Sequence, residues 1–159
     1  MTLAYVALGS NLGDPRQRVL DAMEALAQLP TTRVLQRSPL YRTPPWGVLE
    51  QPSFINAVVE LDTDLPPHHL LDELLAIELR AGRVRAERNG PRTLDLDLLH
   101  VDGVVLDDSR LTLPHPRMTE RAFVMLPLCD IAPTLRLSGQ DTVASQLARL
   151  DVAGCERVA

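Results

Sequence analysis

The run Leu3-Ala4-Tyr5-Val6-Ala7-Leu8 is followed by Gly9-Ser10-Asn11-Leu12-Gly13 and then by Asp14-Pro15. The first run is apolar and strand-like, the second is a turn, and the third opens a helix. Asp14 is a helix-capping acid, Pro15 fits the first helical position, and Gln17 stands three residues after the cap. Val19, Leu20, Met23, Leu26 and Ala27 then recur at helical spacing until Pro30. Val34 to Ser38 predicts a short strand, a proline-rich loop runs from Tyr41 to Pro52, and Phe54 to Leu61 predicts a longer strand. Pro66-Pro67 opens a second helix with Leu70, Leu71, Leu74, Leu75 and Ile77 apolar, ending near Gly82. Leu94 to Val101 is the next strand, Asp102-Gly103 a turn, and Val104 to Leu106 a return hairpin. A helix is expected over Thr119 to Leu126 and a weak one over Val143 to Leu150. The order β-α-β-β-α-β predicts an α/β (α+β) fold, a ferredoxin-like βαββαβ sandwich with a C-terminal extension. That architecture hosts many functions and settles none.

The chain has 159 residues, a formal net charge of -5, 45% hydrophobic and 23% charged residues. These values suit a single globular domain over residues 1–159. No apolar run reaches the ~18 residues of a membrane helix, and the N-terminus has no basic region of a secretory leader. Cys129 and Cys155 have no motif spacing. A reduced, cytoplasmic, monomeric protein without membrane or nucleic-acid partners is the expectation. All 16 basic residues are arginine. The absence of lysine excludes a Walker A loop, lysine Schiff-base chemistry and a protein-kinase site.

Chemistry concentrates in Arg92-Thr93-Leu94-Asp95-Leu96-Asp97-Leu98-Leu99. In a strand, Asp95 and Asp97 share one face and Leu94, Leu96 and Leu98 the other. Two neighbouring carboxylates suit Mg²⁺ together with substrate phosphates; alone, they could equally be two solvated acids. Just upstream, Arg80, Arg83, Arg85, Arg88 and Arg92 stand against the single acid Glu87. Arginine forks bind phosphate oxygens, so the two clusters together describe a polyphosphate site. The arginine-rich segment has little to pin it down, and is expected to close over bound phosphates.

Glu78 falls on the apolar face of its helix, either paired with a nearby arginine or aimed at the metal-phosphate site. Asn56 shares a strand face with Phe54 and Val58; its amide suits the edge of a polar heterocycle and Phe54 offers a ring to stack on it. Each phenylalanine, Phe54 and Phe123, could equally fill core. His115, between Pro114 and Pro116, either hydrogen-bonds a phosphate or braces its loop. His68, His69 and His100 show no ligand spacing with it, which excludes a zinc site.

These stretches resemble the 6-hydroxymethyl-7,8-dihydropterin pyrophosphokinase family. The resemblance rests on Ala7 to Gly13, Tyr41 to Gly47, Gln51 to Ala57, Gly82 to Arg85, Arg88 to Asp97, Leu113-Pro114-His115 and Arg121-Ala122-Phe123, and runs from about Ala4 to Pro133. It implies transfer of pyrophosphate from ATP to the hydroxymethyl group of the dihydropterin, with release of AMP, in folate biosynthesis, using two Mg²⁺. Asp95 and Asp97 match the metal ligands. Thr43, Pro44, Trp46, Phe54, Asn56 and Phe123 match the pterin pocket. Arg83, Arg85, Arg92 and Arg121 match phosphate contacts, and Glu78, Arg110, Thr112 and His115 match nucleotide-side positions. The chain departs from some members at Leu75, Asn89 and Pro116.

Two other readings fit the fold class. An RNA-binding module would need a basic, aromatic-rich surface, against 3% aromatics and a negative net charge. A metabolite-sensing domain would have no need of paired carboxylates beside an arginine loop.

Overall fold

In the computed structural model, residues 1–45, 52–82, 94–137 and 140–158 are described. The opening run becomes strand β1 (Thr2–Ser10), which is long enough to pair on both edges. Helix α1 (Pro15–Ala27) starts where the sequence places it: Asp14 accepts the Gln17 backbone N–H at 3.2 Å and Pro15 occupies the first turn. The reciprocal half of the cap is not made, because the Gln17 side chain turns forward to Asp21 at 2.8 Å. Val19, Ala22, Met23 and Leu26 form its buried stripe.

Strands β2 (Thr32–Arg37) and β3 (Leu40–Thr43) are two halves of one edge along β4 (Phe54–Thr63). β2 pairs with the C-terminal half of β4 and β3 with Phe54 to Asn56. Pro39, which has no N–H to donate, interrupts them. Ser38 bridges the gap, its backbone N–H donating to Val58 O and its hydroxyl accepting the Val58 N–H, both at 2.9 Å. Thus Tyr41, Arg42 and Thr43, read from sequence as loop, are strand; the prolines around them masked its pattern.

Helix α2 (Pro67–Arg80) buries Leu70, Leu74, Ile77 and Glu78. Leu75 faces outward, 41% exposed, and so lies off the core face that the run of leucines suggests. Strand β5 (Asp95–Val101) pairs with the other edge of β1. The order β5-β1-β4-β2/β3, all antiparallel, is the ferredoxin-like arrangement. α1 and α2 cover one face, against Ala4, Val6, Leu8, Ala57, Val59, Leu96 and Leu98.

The C-terminal extension closes the second face. A 3₁₀ turn (Met118–Glu120) leads into α3 (Ala122–Ile131), and α4 (Val143–Leu147) follows. Met118, Val124, Met125, Leu128 and Val143 pack on Tyr5, Ala7, Val58 and Leu99. The helix expected over Thr119 to Leu126 is therefore split at Arg121, which has extended backbone (φ −110°, ψ 103°) and begins a longer helix. The expected return of Val104 to Leu106 onto the preceding strand does not occur. Leu106–Asp107 (β6) pairs instead with Thr112–Leu113 (β7) as a separate ribbon. A strand absent from the sequence reading, β8 (Glu156–Val158), adds to the free edge of β3.

Candidate active site

Strand register builds one cross-sheet row: Asp95 on β5 lies opposite Gly9 on β1, Gly9 opposite Asn56 on β4, and Asn56 opposite Tyr41 on β3. Directly paired residues project to the same face, here the α3 side, and strands lie ~4.8 Å apart. The Asp95 and Asn56 backbones are thus about two strand spacings, ~10 Å, from each other. Gly9 between them has no side chain. A Cβ on Gly9 would meet Asn56 Oδ1 at 2.6 Å, so the amide leans over the glycine. Asn56 donates from Nδ2 to the Thr43 hydroxyl at 2.6 Å, and both side chains are buried. Phe54 stands beside them, paired with Thr43. Asp97 lies one row along, opposite Ala7, and both aspartates are half-buried. The sequence inference that the two acids share a face opposite Leu96 and Leu98 holds in the structure.

Among the described residues, two hydrogen bonds brace the outer edge of β5. Glu78, 3% exposed, accepts the Leu96 N–H through Oε2 at 2.7 Å. This explains a carboxylate on the apolar face of α2: it satisfies an edge-strand donor lying between the two aspartates. Further along, the His115 N–H donates to Leu99 O at 2.8 Å. His115 Nδ1 accepts the Arg117 N–H at 3.2 Å. Burial first, then the charges of Arg121 and Arg117, push the His115 pKa below the ordinary histidine value, against a smaller opposing pull from Asp95. A neutral ring with Nδ1 accepting carries its proton on Nε2, which makes it a donor. These influences also place His115 within electrostatic reach of both Arg121 and Asp95. Arg121 precedes α3, its guanidinium 5.6 Å from the centroid of Phe123, and its Nε is buried without a hydrogen-bond partner among the described residues.

The structure therefore gathers Asp95, Asp97, Asn56, Thr43 and Phe54 on one sheet face, with Arg121 and Phe123 at the start of the helix over that face. Pro44 follows directly on β3 and is exposed. Arg110 and Thr112 belong to the β6–β7 ribbon; the Arg110 guanidinium pairs with Asp72 on α2 at 2.5 Å and the Thr112 hydroxyl lies 3.4 Å from Asp107. Trp46, Arg83, Arg85 and Arg92 lie outside the described residues, as do Glu87 and Arg88, whereas Arg80 ends α2. Two members of the row, Gly9 and Tyr41, escaped the sequence reading. For Gly9 a signal existed: glycine inside a strand often marks close approach of another group. Among the described residues no three His, Cys, Asp or Glu side chains gather as a metal cage. A carboxylate pair is the donor set that suits a cation completed by phosphate and water oxygens.

Comparison with known proteins agrees with this geometry. Residues 5–133 match the family model for 7,8-dihydro-6-hydroxymethylpterin-pyrophosphokinase. A Methylorubrum extorquens protein named 2-amino-4-hydroxy-6-hydroxymethyldihydropteridine pyrophosphokinase is 51% identical over 158 residues, 99% of either chain. A Pseudomonas aeruginosa protein of the same name is 51% identical over 154 residues, 97% of this chain and 95% of its own. In fold, the chain is similar to Plasmodium falciparum HPPK-DHPS solved with pteroate, with TM-score 0.74 and 15% identity over 93% of this chain. This chain spans 42% of that longer protein.

Proposed function

The chain belongs to the 7,8-dihydro-6-hydroxymethylpterin-pyrophosphokinase family, and we propose that the row Asp95–Gly9–Asn56–Tyr41 is where it performs that family's reaction. The reaction is transfer of pyrophosphate from ATP to the hydroxymethyl group of 6-hydroxymethyl-7,8-dihydropterin in folate biosynthesis. The hydroxymethyl oxygen forms a bond to the β-phosphorus while the bond from that phosphorus to the α-bridging oxygen breaks. AMP leaves, and the β- and γ-phosphates go together to the pterin.

Asn56, Thr43, Pro44, Trp46, Phe54 and Phe123 bind the pterin in this proposal. The Thr43 hydroxyl fixes which way the Asn56 amide points, so the amide presents a set pattern to the edge of the ring. The two phenylalanines give its faces apolar, stacking surfaces. Asp95 and Asp97 would hold Mg²⁺, two ions being the expectation; bound there, the metal would supply charge neutralisation for the phosphates. Arg83, Arg85, Arg92 and Arg121 bind phosphate oxygens, and the neutral His115 donates from Nε2 without adding a charge. Arg110 and Thr112 take the nucleotide side. Glu78 contributes from behind, fixing the strand between the two aspartates through Leu96.

The observation that carries this reading is the register itself. The glycine between Asp95 and Asn56 has no side chain, which lets the Asn56 amide lie over β1 between the phosphate-handling and ring-reading sides. Positioning is most of what such a reaction needs from a protein, since the nucleophile belongs to the substrate. The test is AMP release from ATP with and without reduced pterin and with and without Mg²⁺. AMP formation only when all components are present supports the reading; equal turnover after exhaustive chelation removes the metal from it.

A further inference from the structure

The family match ends at residue 133, yet the chain returns to the site after it. β8 pairs with β3 through Leu40–Val158, Tyr41–Arg157 and Arg42–Glu156. Without β8, β3 would be a four-residue edge strand held from one side only, and β3 is what carries Thr43. One cluster then reaches from this strand to α3. Tyr41 donates its hydroxyl to Asp130 Oδ2 at 2.5 Å, and Arg157 Nη2 lies 3.1 Å from Asp130 Oδ1. The Arg157 guanidinium also sits 5.9 Å from the centroid of the Tyr41 ring. Both oxygens of one carboxylate are therefore used, one by the strand and one by the C-terminal segment.

We propose that Arg157 is a positioning residue for pterin recognition, acting through Tyr41 and Asp130 to set β3 against α3. The inference rests on the pterin site proposed above. Tyr41 is the register partner of Asn56, and two residues on, Thr43 receives the Asn56 amide. Asp130 sits near the end of the helix whose start holds Phe123. The cluster thus ties the strand wall of the pocket to its helical wall. The acids of β5, against which β7 packs, lie beyond β4 and β1 from this cluster. Loss of Arg157 should therefore affect one substrate more than the other. Because the arginine side chain is 62% exposed, its ion pair alone is worth little, and the expected effect is moderate.

The experiment compares steady-state constants of the full chain with those of Arg157→Ala, Arg157→Lys, Tyr41→Phe and Asn56→Ala, with melting temperatures alongside. Arg157→Ala is expected to raise the KM for pterin by roughly 3- to 10-fold, the scale of a small cooperative network. The KM for ATP and kcat should stay within about two-fold, and Arg157→Lys should recover part of the loss by restoring the charge without the fork. Tyr41→Phe, which keeps the ring and removes only the hydroxyl, is the variant to read if Arg157→Ala fails to fold. A pterin KM unchanged in Arg157→Ala overturns the proposal. So does a parallel rise for pterin and ATP, which marks general loosening. If Arg157→Ala is silent while Asn56→Ala weakens pterin use, only the clasp falls; if both are silent, the pterin site falls with it.

Discussion

Replacing Gly9 by alanine adds one methyl group at the point where Asn56 leans over β1. The new Cβ would lie 2.6 Å from Asn56 Oδ1, far inside ordinary contact distance. Gly9 is not among the glycines with positive φ, so its backbone accepts alanine and the amide must yield instead. Moving it breaks the 2.6 Å bond to Thr43 and leaves two buried polar groups short of a partner. That costs ~1–3 kcal/mol, while a compatible Gly→Ala change returns ~0.4–1 kcal/mol by restricting the unfolded chain. Net stability should fall by at most ~2.6 kcal/mol, a drop in Tm of several degrees for a chain of this size. Pterin binding loses its oriented amide, and ~1–3 kcal/mol there is roughly a 5- to 150-fold weaker Kd. Calorimetric titration of pterin in the presence of an inert ATP analogue reads this directly, with ATP-analogue affinity expected within two-fold of the parent. In Gly9→Ala/Asn56→Ala the losses should not add, since both act through one amide. A folded Gly9→Ala protein that binds pterin within two-fold of the parent would refute the role given to Asn56.

Glu78→Ala should leave the buried Leu96 N–H unpaired, lowering stability by ~1–3 kcal/mol; Glu78→Gln, whose amide oxygen can accept the same bond, should retain most of it. Hydrogen exchange at Leu96 is the check, and unchanged protection in the alanine variant would sink the bracing role. At alkaline pH, burial first and then the hydrogen bond and charge of Glu60 push the Tyr5 pKa well above the ordinary tyrosine value; Tyr41 is shifted the same way by burial and Asp130. Since both folded-state pKa values are raised, this stability is full below about pH 10 and is lost as pH rises through the folded values. Tyr5→Phe should flatten that alkaline decline in a denaturation series, and an unaltered slope would contradict the assignment. His115→Ala should raise the KM for ATP with pterin affinity within two-fold; the reverse pattern would move His115 to the pterin side.

Much of this architecture was legible because its elements carry local signals. Asp14-Pro15 starts a helix by capping chemistry alone, and the alternation from Leu94 to Leu98 fixes which face Asp95 and Asp97 occupy. Other elements depend on partners distant in the chain. β3 is four residues bracketed by prolines, and only its pairing with β4 and β8 makes it strand. β8 is three residues with no pattern of its own. Glu78 was anomalous on the apolar face of its helix, but one of its partners, a backbone N–H, has no signature in sequence. Tyr41 joined the site only through register. Gly9 was read as part of a turn because Gly-Ser-Asn is common turn chemistry, whereas its place is inside β1, opposite Asn56.

AMP release by Asp97→Asn, at saturating ATP, pterin and Mg²⁺, tests the central claim most directly. The change keeps size and removes one charge from the carboxylate pair, and relief of repulsion between the acids should leave the fold intact. Turnover is expected to fall by a factor on the order of 10²–10³, the scale of losing a key electrostatic group. A folded Asp97→Asn enzyme that releases AMP within a few-fold of the parent rate would contradict the assignment of this strand face to the metal and phosphates.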